Sequence, residues 1–303
     1  MVDIPEYFQR KAARQFGEVG PGWVQELPSI LSHCLERWDL SDCQPIDDLS
    51  INLVCFATSP AHGDVVLKIQ GPHTERFTEM TALQLYDGSH ACRCLDCDRE
   101  RAAMLLERIL PGYDLRSVPA KDEQLAIGTE ILCALPIPLR DTHGLPRYRD
   151  WVTKAFSTVQ RGYEPDALMR ELMSSAWELF LEVDNAGRFL LHGDLHHENI
   201  LQAGTGEWKS IDPQGVVGSA VFECGRFIEN HVIGDAGVDR EEAFRAISYV
   251  AAHMRQPARR VAAAFFILHL LSMCWGYEMN YTRERLARGV RECAVLMSMV
   301  EEC

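Results

Sequence analysis

The pattern of the sequence changes at Pro111-Gly112, and this change limits the possible architecture more than any other feature. Before it, short runs rich in β-branched and apolar residues are separated by turns, as in 49–57 (LSINLVCFA), 65–69 (VVLKI) and 102–109 (AAMLLERI). After it, the sequence is dominated by long segments with a helical pattern. We therefore predict an α+β protein, with a small N-terminal lobe that holds an antiparallel sheet (1–107) and a larger, mostly helical C-terminal lobe (108–303).

Along the chain, the N-terminal lobe is predicted to begin with helical structure, which is followed by a β-hairpin. Apolar residues from Trp23 to Trp38 recur at three- and four-residue steps, which indicates one face of a helix, and Pro45 ends this region. The turn-forming segment 59–64 (SPAHGD) connects two strand-like runs, so it predicts a β-hairpin. The other elements predicted here are a helix over 75–86 and a strand and turn over 91–98.

The C-terminal lobe is predicted to consist of helices around one short β-like region. That region covers 189–212, and the hinge between the lobes is expected near 107–113. The predicted helices cover 122–135, 148–160, 166–185, 240–254 and 257–303.

The charge balance limits the classes of partner. Lys and Arg total 30 against 44 Asp and Glu, a formal net charge of −14. Such a chain lacks the basic surface that general nucleic-acid binding needs, whereas it would attract a cationic small molecule. We expect a small-molecule substrate, no nucleic-acid or membrane partner, and a monomer or weak dimer.

Two further features predict a cytoplasmic protein. The N-terminus (MVDIPEYFQRKAARQF) has no apolar segment typical of a secretory signal, and the longest apolar stretch, 261–271 (VAAAFFILHLL), is too short to span a bilayer and predicts a buried helix. The 11 cysteines are scattered along the chain, which favours reduced thiols over a disulfide framework.

The strongest chemical signal is the segment 191–201 (LHGDLHHENIL). Asp194 is followed five residues later by Asn199, and Asp212 comes thirteen residues after Asn199 in a strand-to-turn segment (WKSIDPQG). Phosphoryl transfer needs such a set, because one carboxylate orients the attacking hydroxyl while an amide oxygen and a second carboxylate hold Mg²⁺ against the phosphates.

These motifs resemble the aminoglycoside and hydroxyurea phosphotransferase family of the protein-kinase-like superfamily, in particular its streptomycin 6-kinases. HGDLHHENIL followed by IDPQGVVG is close to that family's pattern. The resemblance continues upstream through 65–69 (VVLKI), 77–88 (FTEMTALQLYDG) and 103–112 (AMLLERILPG). It implies a two-lobe kinase fold, ATP and Mg²⁺ as cofactors, ATP binding between the lobes, and transfer of the γ-phosphate to a hydroxyl of streptomycin or a similar antibiotic.

The resemblance also assigns roles to individual residues. Asp194 matches the catalytic aspartate, and Asn199 and Asp212 match the Mg²⁺ ligands. Lys68 matches the strand lysine that binds the α- and β-phosphates, and Glu79 matches the acidic residue that pairs with it.

Other assignments concern the nucleotide and the catalytic loop. Glu107 and Ile109 match the hinge, where backbone groups bind adenine. Ser50 lies in the segment that covers the phosphates (50–53, SINL), which has no glycine here, so the γ-phosphate contacts are less defined. His192 is expected to support the loop by hydrogen bonding.

Two residues are candidates for contact with the acceptor. His196 lies inside the motif, and Glu229 is favoured among three acidic residues that could face a cationic acceptor, the others being Glu223 and Glu278. An antibiotic that carries guanidinium groups needs carboxylates directed at it.

Several alternatives stay open at this stage. The chain could phosphorylate another acceptor, such as hydroxyurea, viomycin or a metabolite, or it could bind nucleotide or antibiotic without turnover as a pseudokinase. Cys92, Cys94 and Cys97 form C-x-C-x-x-C, which could hold zinc, although no fourth ligand is evident and free thiols are favoured. The three histidines of the 191–201 segment lack the His-Glu-x-x-His spacing of a zinc protease.

Overall fold

The computed structural model of the chain describes residues 4–47, 49–73, 77–163, 165–184 and 188–303. It divides into two compact units, Met1–Gly112 and Tyr113–Cys303. The first contains the large sheet and the second most of the helices, which agrees with the predicted α+β class.

The first unit is built on a five-stranded antiparallel sheet with the strand order β1-β2-β3-β5-β4. The strands are β1 (Ser41–Pro45), β2 (Leu53–Ser59), β3 (Gly63–Ile69), β4 (Cys94–Asp98) and β5 (Ala103–Glu107). The predicted hairpin is present as β2 and β3, whose last pair is Ser59 with Gly63. The sequence reading missed β1, because its residues (SDCQP) are polar and end in proline.

Three helices accompany this sheet. They are α1 (Glu6–Gln15), α2 (Gly20–Arg37) and α3 (Thr78–Tyr86). Helix α2 presents the buried side chains of Trp23, Leu27 and Leu31 to an apolar cluster that includes Leu53 and Leu67 of the sheet. Residues 75 and 76 of the predicted helix over 75–86 lie outside the described residues.

The second unit is organised around one long helix. Its helices are α4 (Lys121–Ala134), α5 (Tyr148–Gly162), α6 (Ala167–Val183), α7 (Cys224–Val232), α8 (Arg240–Met254), α9 (Ala258–Glu278) and α10 (Arg283–Glu302). Helix α9 packs against α5, α6, α7, α8 and α10, so almost every side of it is covered. Its side chains from Val261 to Leu271 are all buried, as the apolar stretch predicts.

Helix α9 is also long and apolar enough to cross a membrane. However, 78% of its most apolar 18-residue window is buried inside the protein. The helix extends well beyond the eleven-residue stretch from which it was predicted, and its burial is that of a core helix.

The predicted single helix over 257–303 is wrong, since the chain breaks between α9 and α10. Asn280 adopts a left-handed backbone conformation with φ of 55°, and the Thr282 hydroxyl accepts a hydrogen bond of 3.2 Å from the backbone N–H of Arg285. Such a side-chain cap satisfies a donor that the first turn of a helix otherwise leaves unpaired. The sequence reading also missed the nine-residue helix α7.

Short strands of the second unit hold the loops that carry the motif. They are β6 (Ile137–Pro138), β7 (Phe189–Leu191), β8 (Ile200–Gly204), β9 (Glu207–Ser210), β10 (Val216–Gly218), β11 (Ile233–Gly234) and β12 (Gly237–Val238). Strand β7 pairs with β6 and β10, and β8 pairs with β9, all antiparallel. The predicted β-like region 189–212 therefore consists of β7, the hairpin of β8 and β9, and the loop between them.

Candidate active site

The first unit brings together the predicted lysine and its acidic partner. Lys68 Nζ lies 2.8 Å from Glu79 Oε1, and Gln70 Nε2 donates a hydrogen bond of 2.7 Å to Glu79 Oε2. Lys68 is only 3% exposed. A buried charge is tolerated in a protein when it is paired in this way, so the pair holds the ammonium group of β3 against helix α3.

The other nucleotide candidates of the first unit lie at its periphery. Ser50 is exposed just before β2, and Ile109 is half-buried just after β5. Glu107 ends β5, where its Oε1 accepts a hydrogen bond of 2.8 Å from the backbone N–H of Arg93 and its own N–H donates to the Arg93 carbonyl oxygen at 3.0 Å. These contacts tie the end of β5 to the segment that precedes β4.

In the second unit, His192 anchors the loop that follows β7. Its Nε2 donates to the carbonyl oxygen of Ile211 at 2.8 Å, and its Nδ1 accepts from the backbone N–H of Asp194 at 3.3 Å. Burial lowers the pKa of His192 to about 4. The ring is therefore neutral at pH 7, as one donating and one accepting nitrogen require.

Glu223 supports the same loop from the turn before α7. Its Oε2 accepts a hydrogen bond of 2.7 Å from the backbone N–H of His192, and its Oε1 accepts one of 3.3 Å from Gly193. Gly193 has a φ of 81°, and a Cβ there would lie 2.9 Å from the Trp151 ring, so the position requires glycine. Burial raises the pKa of Glu223 to about 7.

Asp194 lies at the centre of this loop, with a third of its side chain exposed. Its Oδ1 accepts a hydrogen bond of 2.9 Å from Nε of Arg226, on helix α7, and its backbone carbonyl oxygen accepts one of 3.0 Å from Nδ2 of Asn199. Burial raises the pKa of Asp194, while the charge of Arg226 acts in the opposite direction.

Asn199 and Asp212 are brought close by the β8–β9 hairpin. The backbone N–H of Ile211, next to Asp212, donates to the Asn199 carbonyl oxygen at 2.9 Å, directly beyond the Ile200–Ser210 pair. Asp212 is exposed and has a left-handed φ of 58°.

This pair fits the magnesium ion that the resemblance implies. The amide nitrogen of Asn199 is engaged with the Asp194 carbonyl oxygen, so its amide oxygen is the atom directed away from that contact. An amide oxygen and a carboxylate are the hard oxygen donors that Mg²⁺ prefers.

The two acceptor candidates occupy different environments. His196 Nε2 lies 3.7 Å from Asp194 Oδ2, and burial lowers the pKa of His196 to about 4. Glu229 is buried on α7, where its Oε2 accepts from Nη1 of Arg226 at 2.5 Å and its Oε1 contacts Nδ1 of His269 at 2.7 Å. Both Glu229 oxygens thus face cationic side chains of the protein, and its contact with an acceptor stays a prediction.

The sequence reading missed Arg226 in the site and gave Glu223 no supporting role. Both contact the loop after β7 across about thirty residues of chain, and no spacing rule links them to the motif. The sequence indicated only that Glu223 and Arg226 lie in the segment that follows the Asp212 strand.

The three cysteines of the C-x-C-x-x-C segment have separate contacts. Cys92 Sγ donates to the Glu107 carbonyl oxygen at 3.5 Å, Cys94 Sγ to the Asp96 carbonyl oxygen at 3.4 Å, and Cys97 Sγ accepts from Gln84 Nε2 at 3.2 Å. Among the residues that the structure describes, no group of three or more His, Cys, Asp or Glu side chains is arranged to hold a metal ion.

Comparisons with known proteins agree with the motifs. The family model described as aminoglycoside/hydroxyurea antibiotic resistance kinase matches residues 37–279. Streptomycin 6-kinase of Streptomyces glaucescens is 30% identical over 231 residues, which are 74% of this chain and 73% of that protein. Hydroxyurea phosphotransferase of Kitasatospora aureofaciens is 28% identical over 259 residues, 80% of this chain and 76% of its own.

A solved structure shows the same fold. Choline kinase LicA from Streptococcus pneumoniae superimposes with a TM-score of 0.63 over 89% of this chain and 99% of its own, at 15% identity. The kinase-like fold and the family resemblance drawn from the motifs are both confirmed. The chain is therefore an enzyme, a kinase that belongs to the aminoglycoside/hydroxyurea antibiotic resistance kinase family.

Proposed function

We propose that this kinase transfers the γ-phosphate of ATP to a hydroxyl group of streptomycin, at the 6-position. The observation that carries the proposal is the placement of Asp194. His192 and Glu223 hold its loop in place by hydrogen bonds, and a third of the Asp194 side chain stays exposed. A fixed, accessible carboxylate is what a hydroxyl acceptor requires for orientation and proton removal.

In this proposal the acceptor hydroxyl donates its hydrogen bond to Asp194. The hydroxyl oxygen attacks the γ-phosphorus, the bond from that phosphorus to the β,γ-bridging oxygen breaks, and the hydroxyl proton passes to Asp194. Products are ADP and a phosphate ester. The pKa of Asp194, raised by burial, favours acceptance of that proton.

The nucleotide contacts are assigned to residues with suitable chemistry. Lys68, oriented by Glu79, binds the α- and β-phosphates, and backbone groups at Glu107 and Ile109 bind adenine, with Ser50 near the phosphates. Asn199 and Asp212 hold Mg²⁺, which supplies positive charge to the phosphate oxygens when it is bound.

Two relatives define the acceptors to compare. The chain has similar identity to a streptomycin 6-kinase and to a hydroxyurea phosphotransferase. The net charge of −14 favours the cationic streptomycin over the neutral hydroxyurea.

The test is ADP release by the purified protein with Mg-ATP, with streptomycin, hydroxyurea or neither, and mass spectrometry of the acceptor. Streptomycin-dependent ADP release with one phosphate added to the drug supports the proposal. Phosphorylation of hydroxyurea alone, or of neither compound, contradicts the acceptor assignment.

A pair of variants tests the role of Asp194. We expect Asp194→Asn to lower kcat by about 10²- to 10⁴-fold, the usual contribution of a general base. Asp141→Asn is the matched control, because Asp141 is an exposed aspartate of the same unit that contacts His143. Equal rates for the two variants would contradict the assignment.

A further inference from the structure

A row of alternating charges leads from Asp194 into the helical core of the second unit. Arg226 contacts Asp194 Oδ1 through Nε at 2.9 Å and Glu229 Oε2 through Nη1 at 2.5 Å. Glu229 Oε1 lies 2.7 Å from His269 Nδ1, and His269 Nε2 lies 3.5 Å from Glu292 Oε2. The row thus connects the loop after β7 with α7, α9 and α10.

The inner members of this row are charged although they are buried. Glu229 is 7% exposed and His269 is 3% exposed. Burial alone lowers the pKa of His269, but Glu229 and Glu292 outweigh it and raise that pKa to about 9, so the imidazole is protonated at neutral pH. Burial likewise raises the pKa of Glu229, and His269 and Arg226 outweigh it to give a net lowering.

Stability alone does not explain such a row. Taking charges out of water costs several kcal/mol per ion, and apolar residues of similar volume often stabilise a core equally well or better. Helix α9 is otherwise an apolar core helix around His269. The buried charges therefore indicate a functional role at the exposed end of the row, where Arg226 contacts Asp194.

The geometry at that end fixes one oxygen of the carboxylate. Arg226 uses Nε for Asp194 and Nη1 for Glu229, so two different edges of one planar guanidinium are held at once. Asp194 Oδ1 is occupied by this contact, while Oδ2 faces His196 at 3.7 Å, beyond hydrogen-bond distance.

We propose that Arg226 is a positioning residue that sets the rotation of the Asp194 carboxylate, with Glu229 and His269 orienting Arg226 from behind, so that Oδ2 is the oxygen that receives the acceptor hydroxyl. This inference rests on the proposed function, in which Asp194 accepts the hydroxyl proton. It assigns Glu229 a role through Arg226 rather than through direct contact with the acceptor.

The first test separates positioning from binding. We expect Arg226→Met to lower kcat about 100-fold, the scale of a small misplacement of a reacting group, with the KM for ATP unchanged. Arg240→Met is the matched control, because Arg240 pairs with Glu302 on the exposed side of α8 and α10. A kcat for Arg226→Met equal to that of the control would overturn the inference.

Two further variants keep the test decisive if Arg226→Met does not fold. Arg226→Lys keeps the charge but lacks the second edge of the guanidinium, so kcat should stay low. Glu229→Gln removes the charge that orients Arg226 and should lower kcat less than Arg226→Met. Control-level kcat in both folded variants would overturn the inference.

Chemical rescue provides a readout that a purely structural role would not move. Guanidinium chloride below denaturing concentration should restore part of kcat to Arg226→Ala and nothing to Arg240→Ala. Absence of rescue in a folded Arg226→Ala protein would count against positioning by the guanidinium.

Failure of this inference and failure of the proposed function give different results. An inactive wild-type protein contradicts the proposed function and the inference together. An active wild-type protein with full activity in Arg226→Met contradicts the inference alone.

A double-mutant cycle in urea unfolding needs no activity: the midpoint shifts of Asp194→Ala and Arg226→Met should be non-additive, and additive shifts would show that the contact is absent.

Discussion

The backbone N–H of His192 donates a 2.7 Å hydrogen bond to the carboxylate of Glu223, a residue 31 positions later in the chain. This contact fixes the start of the loop that carries Asp194 from a turn that the motif itself does not contain. Because the carboxylate is buried and accepts a second backbone hydrogen bond from Gly193, it replaces the water that would otherwise solvate both N–H groups.

Removal of the Glu223 carboxylate should destabilise the protein and lower activity. Glu223→Ala leaves the backbone N–H groups of His192 and Gly193 without their acceptor, at a cost of about 1–3 kcal/mol for the buried N–H of His192, whereas Glu223→Gln keeps one acceptor and should cost less. Urea unfolding measures the difference, with exposed Glu182→Ala as the control. Equal stability of Glu223→Ala and Glu182→Ala would contradict the anchoring role.

His269 should make stability depend on pH in the alkaline range. Its pKa is about 9 in the folded protein and near 6.5 when unfolded, so its contribution is fully present below pH 6.5 and is lost as pH rises through 9. We expect the unfolding free energy to fall by a few kcal/mol over this window, by linkage. His269→Gln should be less stable than the wild-type protein at pH 6, and its unfolding free energy should vary less between pH 6.5 and 9. An unchanged slope of unfolding free energy against pH would rule out this contribution.

Substitutions in the buried pair of Lys68 and Glu79 should affect stability and activity differently. Lys68→Met leaves the Glu79 carboxylate without its main cation, which typically costs about 3–5 kcal/mol, and Glu79→Gln in the same chain should recover much of that loss. Activity should stay low in both variants, because neither has the ammonium proposed to bind phosphate. Thermal unfolding and kcat/KM for ATP provide the two measurements, and recovery of activity in the double variant would contradict the phosphate role of Lys68.

Asn199 and Asp212 should set the requirement for magnesium. Asp212→Asn removes a negative charge from the proposed metal site, so half-maximal turnover should need a higher Mg²⁺ concentration. We expect that concentration to rise about tenfold or more, since each factor of ten corresponds to about 1.4 kcal/mol of binding free energy. A Mg²⁺ titration of the rate measures this, with exposed Asp235→Asn as the control. Identical Mg²⁺ dependence in the two variants would show that Asp212 does not hold the metal.

Much of the fold was predictable because it follows from local patterns. The apolar, β-branched run 65–69 and the turn at 59–64 predicted the β2–β3 hairpin, and helical periodicity predicted α4, α5, α6 and α8 within a few residues. The two missed elements share a physical cause: β1 is a polar edge strand held by its pairing with β2, and α7 is short and stabilised by packing against α9. In both cases tertiary contacts override weak local preference.

The sequence by itself determined the family, the order of the elements and the group of residues that can perform phosphoryl transfer, because these depend on short motifs and on periodicity. Only the tertiary structure decided how Asp194 is held. Its contact with Arg226, the contact of Glu229 with His269, and the support of His192 by Glu223 each join residues 31 to 40 positions apart in the chain. Hydrogen bonds and ion pairs between distant residues have no local pattern, since they form only when packing of the apolar faces of α7 and α9 brings the partners within about 3 Å.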